Sequence, residues 1–180
     1  MIKDGSTIYS STSLNFKSLF TKPLKFVIQL FTSSSMEHTL FYIDGRVLEI
    51  NGNKKGAQFK PIKQWVDEYV TKHTKLHITE LKEDLNLEQT ELAIRYCESQ
   101  IGVKYSTVQA SRSWLDNFFK GLNKDKQLNQ YCSGQTYNCY VALGILPKLD
   151  YALTPVELLD YQIISGKFNQ WRRINVSETY

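Results

Sequence analysis

Two runs of β-forming side chains, Thr39-Leu40-Phe41-Tyr42-Ile43 and Arg46-Val47-Leu48-Glu49-Ile50, flank the dipeptide Asp44-Gly45. Asp-Gly is a two-residue hairpin turn, because both central positions of such a turn need positive φ. The turn sets the register: Ile43 faces Arg46, Tyr42 faces Val47, Leu40 faces Glu49 and His38 faces Asn51. Side chains alternate along a strand, so His38, Leu40, Tyr42, Val47, Glu49 and Asn51 share one face. His38 then has Asn51 opposite and Glu49 on the diagonal, at roughly 7–8 Å between backbones, a gap that long side chains close.

The flanking chain reads as mixed α and β. Residues 4–10 make a turn into a short strand, with a polar loop over Ser10–Ser13. Phe16–Phe31 carries a mixed helical pattern broken by Pro23, and Thr32–Ser35 is a small-residue linker. After a glycine- and lysine-rich loop at 51–56, Ile62, Trp65, Val66 and Tyr69 recur at helical spacing within 61–69. Lys75–Lys82 reads as a strand. Leu87–Gln100 reads as a helix capped by Asn86 and ended by Gly102, with Leu92, Ala93, Tyr96 and Cys97 on its inner face. Val108–Lys120 is a further helix and Gly121–Gln130 a charged loop. A helix from Cys132 is closed by Pro147, Thr154-Pro155 opens one more helical turn, and 171–176 is a last strand. Neither a repeat nor a low-complexity tract is visible, which predicts one α+β domain over 1–180.

With 180 residues, 42% of them hydrophobic, the chain can bury a sizeable core. The +4 net charge is dispersed along the chain and not gathered in one basic run, so nothing points to nucleic acid. The start Met1-Ile2-Lys3-Asp4-Gly5-Ser6 lacks the form of a signal peptide. The longest apolar stretch, Phe26–Phe31, is too short to span a bilayer. These features predict a soluble cytoplasmic protein without a transmembrane segment, with phage association or export by another route as alternatives. Three cysteines without framework spacing predict free thiols.

Chemistry concentrates at Tyr131-Cys132-Ser133-Gly134-Gln135. Here a thiol ends a polar run and begins a helical pattern, where backbone N–H groups and the helix dipole favour the thiolate. The polar neighbours of Cys132 argue against full burial. Cys139, seven residues on, and Cys97 fall on apolar helix faces and read as core. A thiol hydrolase needs a nucleophile, a base, a group orienting the base, and oxyanion donors. Cys132, His38 and Glu49 fill the first three roles, with Asn51 as second choice of orienter, and N–H groups at the helix start are the oxyanion donors. His73 and His77 have helical metal-ligand spacing, but Leu76-His77-Ile78 reads as strand and no Cys-x-x-Cys accompanies it, so no metal or other cofactor is expected.

These residues resemble the permuted NlpC/P60 papain-like hydrolases, the YiiX/YaeF-like amidase group. The likeness lies in Glu37-His38-Thr39-Leu40-Phe41-Tyr42-Ile43-Asp44-Gly45, Val47-Leu48-Glu49 and Tyr131-Cys132-Ser133, with Asp4-Gly5, Gly102–Tyr105 and Thr154-Pro155 as lesser features. Two places differ: Thr39-Leu40 follows the histidine where the family has a small or apolar residue and then glycine, and Gly134-Gln135 stands where it has an acid after Cys-Ser. The resemblance implies a papain-like, circularly permuted fold in which an antiparallel sheet packs against the nucleophile helix. It also implies cleavage of an amide bond, in a peptide, a cell-wall stem peptide or a similar substrate, through Cys132, His38 and Glu49. Tyr131, Ser133 and Tyr42 are expected to contact substrate. An acyltransferase or lipid-acyl hydrolase on the same fold is one alternative; a non-catalytic binding or virion-associated module is another.

Overall fold

A computed structural model of the chain describes residues 2–12, 36–50, 56–106, 131–150 and 153–179. The expected elements at 16–31, 32–35, 108–120 and 121–130, the loop at 51–55 and Asn51 all lie outside the described residues. Six strands form one antiparallel sheet: β1 (Ser6–Thr12), β2 (Met36–Ile43), β3 (Arg46–Glu49), β4 (Gln58–Pro61), β5 (Thr74–Thr79) and β6 (Arg172–Ile174). Their order across the sheet is β4-β3-β2-β1-β5-β6. The described helices are α1 (Ile62–Tyr69), α2 (Leu87–Ser99), α3 (Cys132–Ala142) and α4 (Pro155–Ile164). The architecture is therefore α+β.

The β2–β3 hairpin has the turn its sequence predicts, with φ of 51° at Asp44 and 68° at Gly45. Its ladder pairs Ile43 with Arg46, Tyr42 with Val47 and Phe41 with Leu48, and goes no further. His38 thus stands on β2 past the last β3 partner, where a side chain from elsewhere has room to approach. β1 runs through Ser10 and Ser11 to Thr12, which the polar composition had suggested as loop. The reason is tertiary: β1 is flanked by β2 and β5, so its backbone groups are paired on both edges whatever its side chains.

Each sheet face buries its own cluster. Ile8, Leu40, Tyr42, Val47, Leu76 and Ile78 pack against Ile62, Trp65 and Val66 of α1. On the other face Phe41, Ile43 and Leu48 meet Ala93 and Cys97 of α2, Tyr137, Tyr140 and Leu143 of α3, and Leu158 of α4. Leu92, expected on the inner face of α2, is 38% exposed; its neighbour Ala93 takes the buried position. Asn86 caps α2 through a reciprocal capping box with Gln89. A second box, Thr154 with Glu157, starts α4, which runs nearly three turns where one was expected, because Leu158, Leu159 and Gln162 are all buried. α3 ends before Pro147: Gly144, at φ 66°, turns the chain and Ile145 N donates to the Tyr140 carbonyl.

A buried polar chain ties α3 and α4 to β1. Tyr9 Oη and Thr79 Oγ1 donate to Gln162 Oε1 at 2.6 and 2.7 Å, and Gln162 Nε2 donates to Thr7 Oγ1 at 2.7 Å. Thr7 Oγ1 and Tyr140 Oη lie 2.6 Å apart, and Tyr140 Oη donates to the Gly5 carbonyl at 2.8 Å. Tyr140→Phe strands both the Thr7 hydroxyl and the Gly5 carbonyl, and should lower unfolding free energy by about 1–3 kcal/mol in urea titration.

Candidate active site

Cys132 is the first residue of α3, and Tyr131 before it is extended and gives no side-chain cap. The N–H groups of the first turn are therefore left to the thiol and to whatever binds there. The side chains of His38 and Cys132 lie close enough for each to shift the other's titration. His38 Nε2 lies 3.5 Å from Glu49 Oε2. The imidazole is thus shared between a thiol and a carboxylate. The distance to Glu49 is at the long end of hydrogen bonding, as is common in sites without substrate.

α3 packs on the Phe41 face while His38 and Glu49 belong to the opposite face. They meet at the end of the β2–β3 ladder, and Thr136 Oγ1, 3.2 Å from Thr39 Oγ1, docks the first turns of α3 on β2 there. Cys132 is 8% exposed, more buried than its polar neighbours suggested. Its lining is apolar: Ile50 and Ala57, with Val103 and Tyr105 packed against them. His38 keeps 19% of its side chain exposed, so the ring can be reached from solvent.

Glu49 is itself held. Trp65 Nε1 donates to Oε2 at 3.0 Å and Lys60 Nζ lies 2.8 Å from Oε1. Burial acts to raise its carboxyl, but His38 and Lys60 outweigh this and hold it down at about 2. Burial likewise disfavours the imidazolium, yet the thiol and Glu49 push His38 up to about 10. For Cys132, burial favours the neutral thiol; the hydrogen bond to His38 and the backbone N–H groups of Thr39 and Ser133 reverse that and lower it. These influences favour charge separation between the Cys132 sulfur and the His38 ring, beside the Glu49 carboxylate. Glu49 titrates lower in the folded chain than the ordinary value of about 4.3, so its contribution is present above that pH and lost as pH falls through about 2. Melting temperature should therefore fall on acidification over this window, and Glu49→Gln should flatten that part of the curve.

Cys132, His38 and Glu49 are brought together, with Tyr131 buried beside the thiol. Ser133 is turned away: its Oγ donates to the Leu153 carbonyl at 2.6 Å and anchors the start of α3. Tyr42 lies four residues from His38 toward the hairpin turn, about 13 Å along the strand, packed in the α1 cluster. Lys60 and Trp65 were not legible as site residues. Trp65 reads as one more apolar position of α1, and Lys60 enters only because β4 pairs with β3. Cys97 and Cys139 are core residues as expected, and burial together with the adjacent Cys97 thiol holds Cys139 up. His77 sits in β5 with its ring against Trp171.

No protein-family model matches the chain, and no curated protein does. Among solved structures, the fold is similar to the crystal structure of metalloprotein YiiX from Escherichia coli O157:H7, DUF1105, with a TM-score of 0.50 over 97% of each chain at 18% identity. The likeness is one of fold. Among the described residues, no group of three His, Cys, Asp or Glu side chains is arranged to hold a metal ion. No described helix is long and apolar enough to cross a membrane.

Proposed function

We propose that the chain is a thiol hydrolase that cleaves an amide bond with Cys132 as nucleophile, His38 as acid and base, and Glu49 as the group that orients and charges the imidazole. One observation carries this reading: the His38 ring lies 3.5 Å from Glu49 and beside the Cys132 thiol, which opens a helix. The Cys132 thiolate adds to the carbonyl carbon, and the resulting oxyanion meets backbone N–H groups of the first turn of α3. Collapse expels the amine, which takes the His38 proton and leaves a thioester on Cys132. Water then gives a proton to His38 and attacks the thioester, releasing the acid and restoring the ion pair.

The substrate class follows the family resemblance: a peptide, a cell-wall stem peptide or a related amide. The apolar lining from Ile50, Ala57, Val103 and Tyr105 favours, as the second reading, an acyl group passed from a lipid to water or to another acceptor. Incubation with peptide p-nitroanilides and long-chain acyl p-nitrophenyl esters, followed by intact-mass and peptide mapping, separates the two. An acyl adduct confined to Cys132 and absent from His38→Ala is expected. A protein that forms no adduct, and whose Cys132 alkylates no faster than Cys97 and Cys139, would be a binding module that kept the fold.

A further inference from the structure

Lys60 is a buried cation that a thiol–imidazole–carboxylate set does not itself require. It stands on β4 directly across from Val47, two residues off the Glu49–Gln58 pair, so its side chain shares the Glu49 face. Its Nζ lies 2.8 Å from Glu49 Oε1, 2.6 Å from Glu68 Oε2 and 3.1 Å from Gln58 Oε1, and 4.5 Å over the Tyr69 ring. The Lys60 side chain is 7% exposed and that of Glu49 1%. The two oxygens of Glu49 thus face separate groups: Oε1 lies at ion-pair distance from the ammonium, while Oε2 accepts from Trp65 Nε1 and faces His38 Nε2. A carboxylate this buried, without a cation, takes up a proton as the solution turns acid. Protonated, Glu49 no longer holds the imidazolium in place, and the ring is free to turn away from the thiolate.

We propose that Lys60 is a positioning residue of the triad: it pins Glu49 Oε1 so that Oε2 stays turned on His38, and it keeps that carboxylate charged in acid solution. The inference rests on the thiol-hydrolase reading and adds the residue that sets its acid limit. Among the described residues, the charged and titratable groups around Glu49 are His38 of β2, Lys60 of β4, and Glu68 and Tyr69 of α1, the last two reaching it through Lys60. Cys132 acts on it through His38.

The test is the pH profile of Cys132 alkylation by iodoacetamide, a neutral probe, read by peptide mapping from about pH 3 to pH 8. Lys60→Met should move the acid limb up by about one pH unit, a roughly tenfold slower reaction on that limb, and Lys60→Arg should return it most of the way. Adding Lys60→Met to Glu49→Gln, which already lacks the charge, should move the limb no further. Where Lys60→Met does not fold, Lys60→Gln keeps hydrogen bonding without charge and carries the same expectation. A limb that stays at the wild-type position in the neutral variants overturns the proposal, whatever their melting temperatures. Failure of the hydrolase reading looks different: wild-type Cys132 itself then shows no fast, His38-dependent alkylation.

Discussion

His38→Ala should slow iodoacetamide alkylation of Cys132 at neutral pH by about 30- to 100-fold. The reactive species is the thiolate, and the hydrogen bond to His38 is the largest influence opposing burial. Without the imidazole, burial returns the thiol to or above its ordinary range of about 8.5, and only roughly 1–3% stays ionised at neutral pH. Two controls are internal to the protein. Cys97 and Cys139 are buried in the core away from His38 and should remain unlabelled in both proteins. The deficit should also close as pH is raised, because an isolated thiol ionises there without help. A His38→Ala protein that alkylates at the wild-type rate would sink the ion pair and with it the nucleophile.

Glu49→Ala should be the most damaging single change to stability, lowering unfolding free energy by about 3–5 kcal/mol. The carboxylate is 1% exposed, accepts from Trp65 Nε1 and lies at ion-pair distance from Lys60 Nζ and His38 Nε2. Its removal leaves the His38 ring and the Trp65 indole N–H without their acceptor, and leaves buried Lys60 with Glu68 and Gln58 alone. For a chain of this size each kcal/mol moves the melting temperature by about 2–4 °C, so a drop of roughly 6–20 °C is expected by calorimetry. Alkylation of Cys132 should slow as well, since the imidazolium loses its counter-charge. A melting temperature within about 1 °C of wild type would mean that the lysine and the imidazole find other partners.

What could be read without coordinates was local. Asp44-Gly45 demands positive φ at two successive positions, and that fact alone set the β2–β3 register and put His38 and Glu49 on one face. Asn86, and Thr154 before Pro155, announced two helix starts, because a cap acts within one turn of its own chain. The helix beginning at Cys132 was legible from a helical pattern that follows a polar run. Other expectations failed where packing overrode composition: the polar end of β1 is strand because it has a neighbour on each edge.

By itself, then, the sequence determined a hairpin with a histidine and a glutamate on one face, and a thiol at a helix start more than ninety residues later. Only the tertiary structure decided that these meet. α3 packs on the Phe41 face of the sheet, and its first residue lies beside His38, three residues beyond the last β2–β3 pair. The burial of Cys132 and the Lys60 and Trp65 clamp on Glu49 were decided there too. Burial and charge pairing depend on which surfaces come together across the sheet, and those distances are not written in residue order.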